Sequence, residues 1–199
     1  MSDNEYKSPL IAVIGSTSPL PGYNPHEAQT LGYLLREAVD KKGTIFTGGV
    51  HGVGVDVYKG IVEYCEEHET DDRFFVLFPD IGINPPQEYS DLARLTQNES
   101  LNVVLAGKDM LERRNYLAQL ADNLVIVNGS KGTLDEAIKG LMQQKPLFCL
   151  ANSGGAAEVI AKVKYGQVKN FSDKIDTNLI YTFDSPKDLV SHLSHLEGL

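Results

Sequence analysis

The sequence predicts one doubly wound α/β domain over residues 1–199, built on a mainly parallel sheet of about seven strands. Three observations carry that prediction. Short, almost uninterrupted apolar runs recur along the chain, as expected of parallel strands covered on both faces. Segments with helical spacing of apolar residues lie between them. The length of 199 residues falls within the roughly 100–200 of a typical single domain.

Leu10–Ile14 reads as the first strand and runs into the small-residue turn Gly15-Ser16-Thr17-Ser18. Ala28, Leu31, Leu35 and Ala38 mark the first helix. Thr44–Thr47 is the second strand, opening into Gly48, Gly49, Gly52 and Gly54. Glycine at this density lets backbone approach a ligand closely; a structural strand-to-helix turn is the alternative reading. Phe74–Phe78 is the third strand. The longest irregular stretch follows, from Pro79 to about Ser100, and a loop of that length is usually functional or mobile. After a fourth strand at Leu101–Leu105, Met110, Leu117 and Leu120 form the stripe of a helix, with Arg113 on the same face. Leu124–Val127 is the fifth strand, and Leu134, Ala137, Ile138, Leu141 and Met142 outline the next helix. Leu147–Leu150 and Leu179–Phe183 complete the sheet. Ligands of such sheets bind outside the carboxyl ends of the strands. The turns Gly15–Ser18, Gly48–Gly54 and Gly129–Glu136 are therefore expected to meet along one rim.

Composition narrows the function classes. A net charge of −9 argues against a general nucleic-acid binder, which needs clustered Lys and Arg. No apolar run approaches the ~18 residues of a membrane span, and the acidic start Met1–Glu5 does not read as a signal peptide. A cytoplasmic protein with a small anionic ligand is expected. Cys65 and Cys149 form no CxxC pair and read as buried thiols. His51 is the histidine nearest the expected site, whereas His192 and His195 share a helix face with no visible third ligand, and His68 sits in an acidic helix end. Neither a metal nor a cofactor is expected.

The most informative stretch is Val125–Glu136. It reads as a buried strand, a glycine-bearing turn and the first turn of a helix. Such a turn exposes unpaired amides and the positive end of a helix dipole, where a phosphate binds readily. Gly129, Ser130, Lys131, Gly132 and Thr133 would form the cradle, with Gly15, Ser16, Gly48, Gly49 and Gly52 across the rim. Val55 stands where a Walker motif requires lysine, and no GxGxxG follows the first strand. Glu136 has two readings. Thr133-Leu134-Asp135-Glu136 fits a capping box with Thr133 as N-cap; equally, Glu136 is a carboxylate beside the phosphate cradle. Arg113, aimed inward near the start of its helix, needs an anionic partner or a ligand and could converge with Glu136. Surface pairing of Arg113 or Arg114 with Glu112 or Asp109 is the alternative.

These features, in order, resemble the LOG (lonely guy) phosphoribohydrolases, long mislabelled lysine decarboxylases, and their wider SLOG superfamily. That superfamily includes molybdenum-cofactor carriers and nucleotide-signal sensors. Ile11–Ser16 resembles the first strand and turn, and Thr47–Gly54 the second glycine motif. Met110-Leu111-Glu112-Arg113-Arg114 resembles the M-x-x-R-K segment, with Ala121-Asp122 at matching spacing, and Asn128–Glu136 resembles P-G-G-x-G-T-x-x-E. The similarity covers roughly residues 10–160. Asn128 stands in place of the signature proline and Ser130 in place of its second glycine, while Ser153-Gly154-Gly155 is similar to carrier-type members.

The resemblance implies a Rossmann-like fold, with the arginine and glutamate of the pair falling on Arg113 and Glu136. It also implies a homodimer or higher even oligomer, with the helices Met110–Ala121 and the one from Thr133 packing outward as well as inward. Two functions follow. One is hydrolysis of the N-glycosidic bond of a nucleoside 5′-monophosphate, with Glu136 and Arg113 catalytic. The other is a non-catalytic carrier or sensor of a nucleotide-derived or pterin-type ligand.

Overall fold

Alternation along the strands sorts side chains to two faces of one sheet. In β1 (Leu10–Gly15), Ile11 and Val13 join one core cluster while Ala12 and Ile14 join the other, and all four are buried. The computed structural model describes residues 6–40, 42–48, 51–70, 74–80 and 102–199. The further strands are β2 (Thr44–Thr47), β3 (Phe74–Phe78), β4 (Asn102–Leu105), β5 (Asn123–Val127), β6 (Leu147–Leu150) and β7 (Ile180–Phe183). They form one sheet in the order β4-β3-β2-β1-β5-β6-β7, parallel at every pairing.

Helices α1 (Pro25–Val39), α2 (Val53–His68) and α6 (Pro186–Glu197) cover the Ile11 face. Helices α3 (Met110–Leu120), α4 (Lys131–Met142) and α5 (Gly155–Lys164) cover the other. The chain steps outward from β1 to β4, then returns to place β5 on the other side of β1. That reversal opens a crevice at the carboxyl ends of β1 and β5, where doubly wound folds bind ligands.

The strands expected from sequence match within a residue. Leu179 falls in a short 3-10 turn before β7, and Leu101 lies outside the described residues, as does 81–100 of the expected long loop. Met110 departs from the expected inward stripe: it is exposed, and α3 buries Arg113, Leu117 and Ala118 instead. Asp122 acts at the far end of the sheet, where its Oδ2 accepts the Leu10 N–H at 2.8 Å. Among the described residues, no helix is long and apolar enough to cross a membrane.

Candidate functional site

A pocket of about 100 Å³ lies at the crevice, several times the ~10–15 Å³ that one water needs. The β1 end supplies Ile14, Gly15, Ser16 and Thr17; the β2 end supplies Thr47 and Gly48. Helix α3 contributes Met110, Arg113 and Arg114, and the start of α4 contributes Ser130, Gly132, Thr133 and Glu136. Turns distant in sequence thus share one rim.

Arg113 and Glu136 face each other at its floor. Asp109 caps α3 through the Leu111 and Glu112 amides, which leaves Arg113 on the inward side of the first turn. Its Nη1 stands 2.7 Å from Glu136 Oε1, and both side chains are buried. The contact is an ion pair and not a well-aimed hydrogen bond. Arg113 Nε has no hydrogen-bond partner among the described residues, and Nη1 and Glu136 Oε1 have only each other. Desolvated charges with open hydrogen-bonding capacity are costly unless a ligand completes them. Burial pushes the Glu136 carboxyl above the ordinary carboxylate range, with Arg113 and Arg114 pulling the other way. Gly48 makes room for the guanidinium, because a Cβ there would lie 1.5 Å from Arg113 Nη1.

The capping-box reading is corrected. Asn128 (φ 52) and Gly129 (φ 106) turn the chain sharply, so the extended N-cap is Ser130 and the helix begins at Lys131. The Leu134 N–H reaches the Ser130 carbonyl at 3.0 Å, which leaves the amides of Lys131, Gly132 and Thr133 ahead of the first intrahelical bond. Glu136 lies a turn further in than a capping box requires. The Ser130 side chain makes no capping hydrogen bond and lines the pocket.

Asn128 explains why proline is absent here. Proline is held near φ −65° and has no N–H. Asn128 instead has positive φ, and its N–H donates to Ser153 Oγ at 2.6 Å. Its side chain accepts from the Leu20 N–H (2.9 Å) and donates to the Leu20 and Ser153 carbonyls (3.1 and 2.6 Å). The Ser16–Leu20 loop is thereby fixed to the turn after β6.

Other expected residues take different places. Gly129 and Gly52 do not line the pocket: both have positive φ, and Gly52 passes so close to the β1 loop that a Cβ would meet the Ser16 carbonyl at 2.3 Å. Lys131 is exposed beside the pocket without lining it, His51 is half-buried and also outside the lining, and Gly49 falls outside the described residues. Arg114 was read only as a surface partner, yet it lines the pocket, as do Thr47 and Met110. The Arg-Arg doublet was the signal for it. The acidic residue named beside it, Glu112, pairs with Lys108. His192 packs against Phe148, Tyr181 and Phe183, and burial pushes the Cys149 thiol up to about 12. No group of His, Cys, Asp and Glu suited to a metal ion occurs among the described residues.

A family model described as the SLOG cluster4 family matches residues 8–190. No curated protein matches the chain. Among solved structures it is similar to TM1055, at 22% identity over 94% of this chain and 98% of that one, with a TM-score of 0.64. It is also similar to the molybdenum cofactor carrier protein of Chlamydomonas reinhardtii, at 17% identity, 97% and 100% coverage and a TM-score of 0.62. DNA processing protein A of Helicobacter pylori, described for its single-stranded DNA binding mode, gives 16% identity, 94% and 81% coverage and a TM-score of 0.62. At these identities the likeness concerns the fold.

Proposed function

This chain belongs to the SLOG cluster4 family, and from that premise we propose that its pocket hydrolyses the N-glycosidic bond of a nucleoside 5′-monophosphate. The observation that carries the reading is the buried Arg113–Glu136 pair, with Arg113 Nε unpartnered among the described residues, set at the amino end of α4. Amides of Gly132 and Thr133 hold the 5′-phosphate, and Arg113 holds phosphate or ribose oxygens. As the C1′–N bond breaks, positive charge develops on the ribose ring; the Glu136 carboxylate stabilises it or takes a proton from the attacking water. Water's hydroxyl joins C1′ and its proton goes to the departing base. A carboxyl held above its ordinary range is suited to such proton transfer. No metal or cofactor is required. The net charge of −9 favours a small molecule over nucleic acid.

A non-catalytic carrier or sensor of a nucleotide-derived or pterin-type ligand is the second reading. Asn128 and Ser130, standing where the resembled signature has proline and glycine, favour it. Incubation with a panel of nucleoside monophosphates, with free base followed by chromatography, separates the two. Wild type is expected to release base, and Glu136→Gln to slow release by roughly 10²–10⁴-fold. Tight binding of nucleotides with no base released by wild type would replace the enzyme reading with the carrier reading.

A further inference from the structure

We infer that Asn128 is a positioning residue of this pocket: through Leu20 it holds the Ser16–Leu20 loop in place as the wall that meets the uncharged part of the ligand. The inference rests on the nucleotide reading above for the class of ligand. The pocket lining has two halves. Arg113, Arg114, Glu136 and the amino end of α4 make one, so all its charge comes from α3 and α4. Ile14–Thr17 and Thr47–Gly48 make the other, which carries no charged group. A sugar, uncharged and rich in hydroxyls, suits that neutral half. Thr17 offers it an exposed hydroxyl. The Ser16 Oγ is already committed, donating to the Ser18 carbonyl at 2.6 Å and accepting from the Ser18 N–H at 3.2 Å.

Asn128 supplies the anchor of this loop. Pro19 and Pro21 have no N–H to donate. Among the described residues, the hydrogen bonds that join residues 17–22 to another element are the two between Leu20 and Asn128, at 2.9 and 3.1 Å. They grip both the N–H and the carbonyl of Leu20, as a neighbouring strand would. The fixed φ of Pro19 and the restricted backbone of Ser18 before it carry that anchor back to Thr17. Asn128 itself is 0% exposed and outside the lining, so it acts on a ligand only through the loop. At its φ of 52° glycine would make the turn without strain. What asparagine adds is the side chain, and two of its three hydrogen bonds go to Leu20.

Calorimetry on the full chain with ribose 5-phosphate and with inorganic phosphate tests this. Asn128→Gly keeps the turn and releases Leu20, so hydrogen exchange of the loop should quicken while the rest of the chain exchanges as in wild type. The variant is expected to weaken ribose 5-phosphate about three- to tenfold and inorganic phosphate less than about twofold. Thr17→Val should show the same selective loss, and the double variant should bind no more weakly than Asn128→Gly alone. With a nucleotide that wild type cleaves, Asn128→Gly should raise KM and leave kcat within about threefold. An equal loss for the two ligands, additive losses in the double variant, unchanged loop exchange, or a faster-exchanging loop with unchanged affinity would overturn the inference. Thr17→Val changes an exposed position and keeps the test open if Asn128→Gly fails to fold: ribose 5-phosphate bound as tightly as by wild type overturns it. Selective loss in a chain that releases base from no nucleotide upholds the inference and sinks the hydrolase reading. Base release with unchanged KM in Asn128→Gly does the reverse. A wild type that binds ribose 5-phosphate no better than phosphate also overturns the inference.

Discussion

Burial penalises the charged form of Glu136, and Arg113 offsets part of that penalty. Its folded pKa lies above the ordinary value of 4.5 because burial outweighs the attraction of Arg113 and Arg114. Between the unfolded and folded values the native state holds a proton that the unfolded state has released. Stability therefore falls as pH rises through that window, and the penalty persists above it. Glutamine keeps the shape of the protonated carboxyl and removes its titration, but it also leaves the buried Arg113 guanidinium without its carboxylate. Glu136→Gln should therefore melt below wild type, and the gap should narrow as pH rises from about 4 to about 8, because only wild type loses stability through that window. A gap that widens with rising pH would mean that the carboxyl is not held above its ordinary value. Arg113 and Glu136 were legible in the sequence because a charged residue on an apolar helix face demands a partner. The role of Gly48 was not, since its contact with Arg113 joins residues far apart in the chain.

Among the elements, strands were the most legible, because a doubly covered strand must be apolar on both faces and its run ends where the sheet ends. Starts of helices were less so. Thr133 has the chemistry of an N-cap, but left-handed turning at Asn128 and Gly129 starts α4 three residues earlier than a Thr133 cap allows. No local propensity reports that turning. Arg114 reads from sequence as a surface residue because neighbouring helical residues point about 100° apart; the packing of α3 against α4 is what turns both arginines to the pocket. The Asn128 clamp is a property of the β5–α4 turn and predicts its own energetics. Asn128→Ala removes three side-chain hydrogen bonds and places alanine at positive φ. Urea denaturation should show a loss of about 2–5 kcal/mol. Asn128→Gly tolerates the backbone and should lose less, whereas Asn128→Pro, which restores the residue of the resembled signature, should be the most damaging of the three. A proline variant as stable as wild type would mean that the turn is not held by this residue.

At the scale of the molecule, a single topological reversal puts β1 and β5 side by side, so the amino end of α4, the Glu136 carboxylate and both arginines share the carboxyl end of the sheet. The same helices that carry the site also present apolar surface outward. Leu134 and Ile138 on α4 are only half-buried and Met142, one further turn along the same row, is 48% exposed. On α3, Tyr116 and Leu120 are half-buried as well. A row spaced by four residues lies on one helix face, and half-buried apolar rows of this kind are normally completed by a second surface. We expect that surface to be another copy of the chain, as the family resemblance implies. Light scattering at micromolar concentration should then give about twice the 21.8 kDa chain mass or a higher even multiple. Ile138→Glu, which places a charge in the middle of the row, should return the mass to that of one chain while leaving the sheet intact by circular dichroism. A wild type that scatters as 21.8 kDa at every concentration would show that the row is covered by nothing, and that the pocket is complete within one chain.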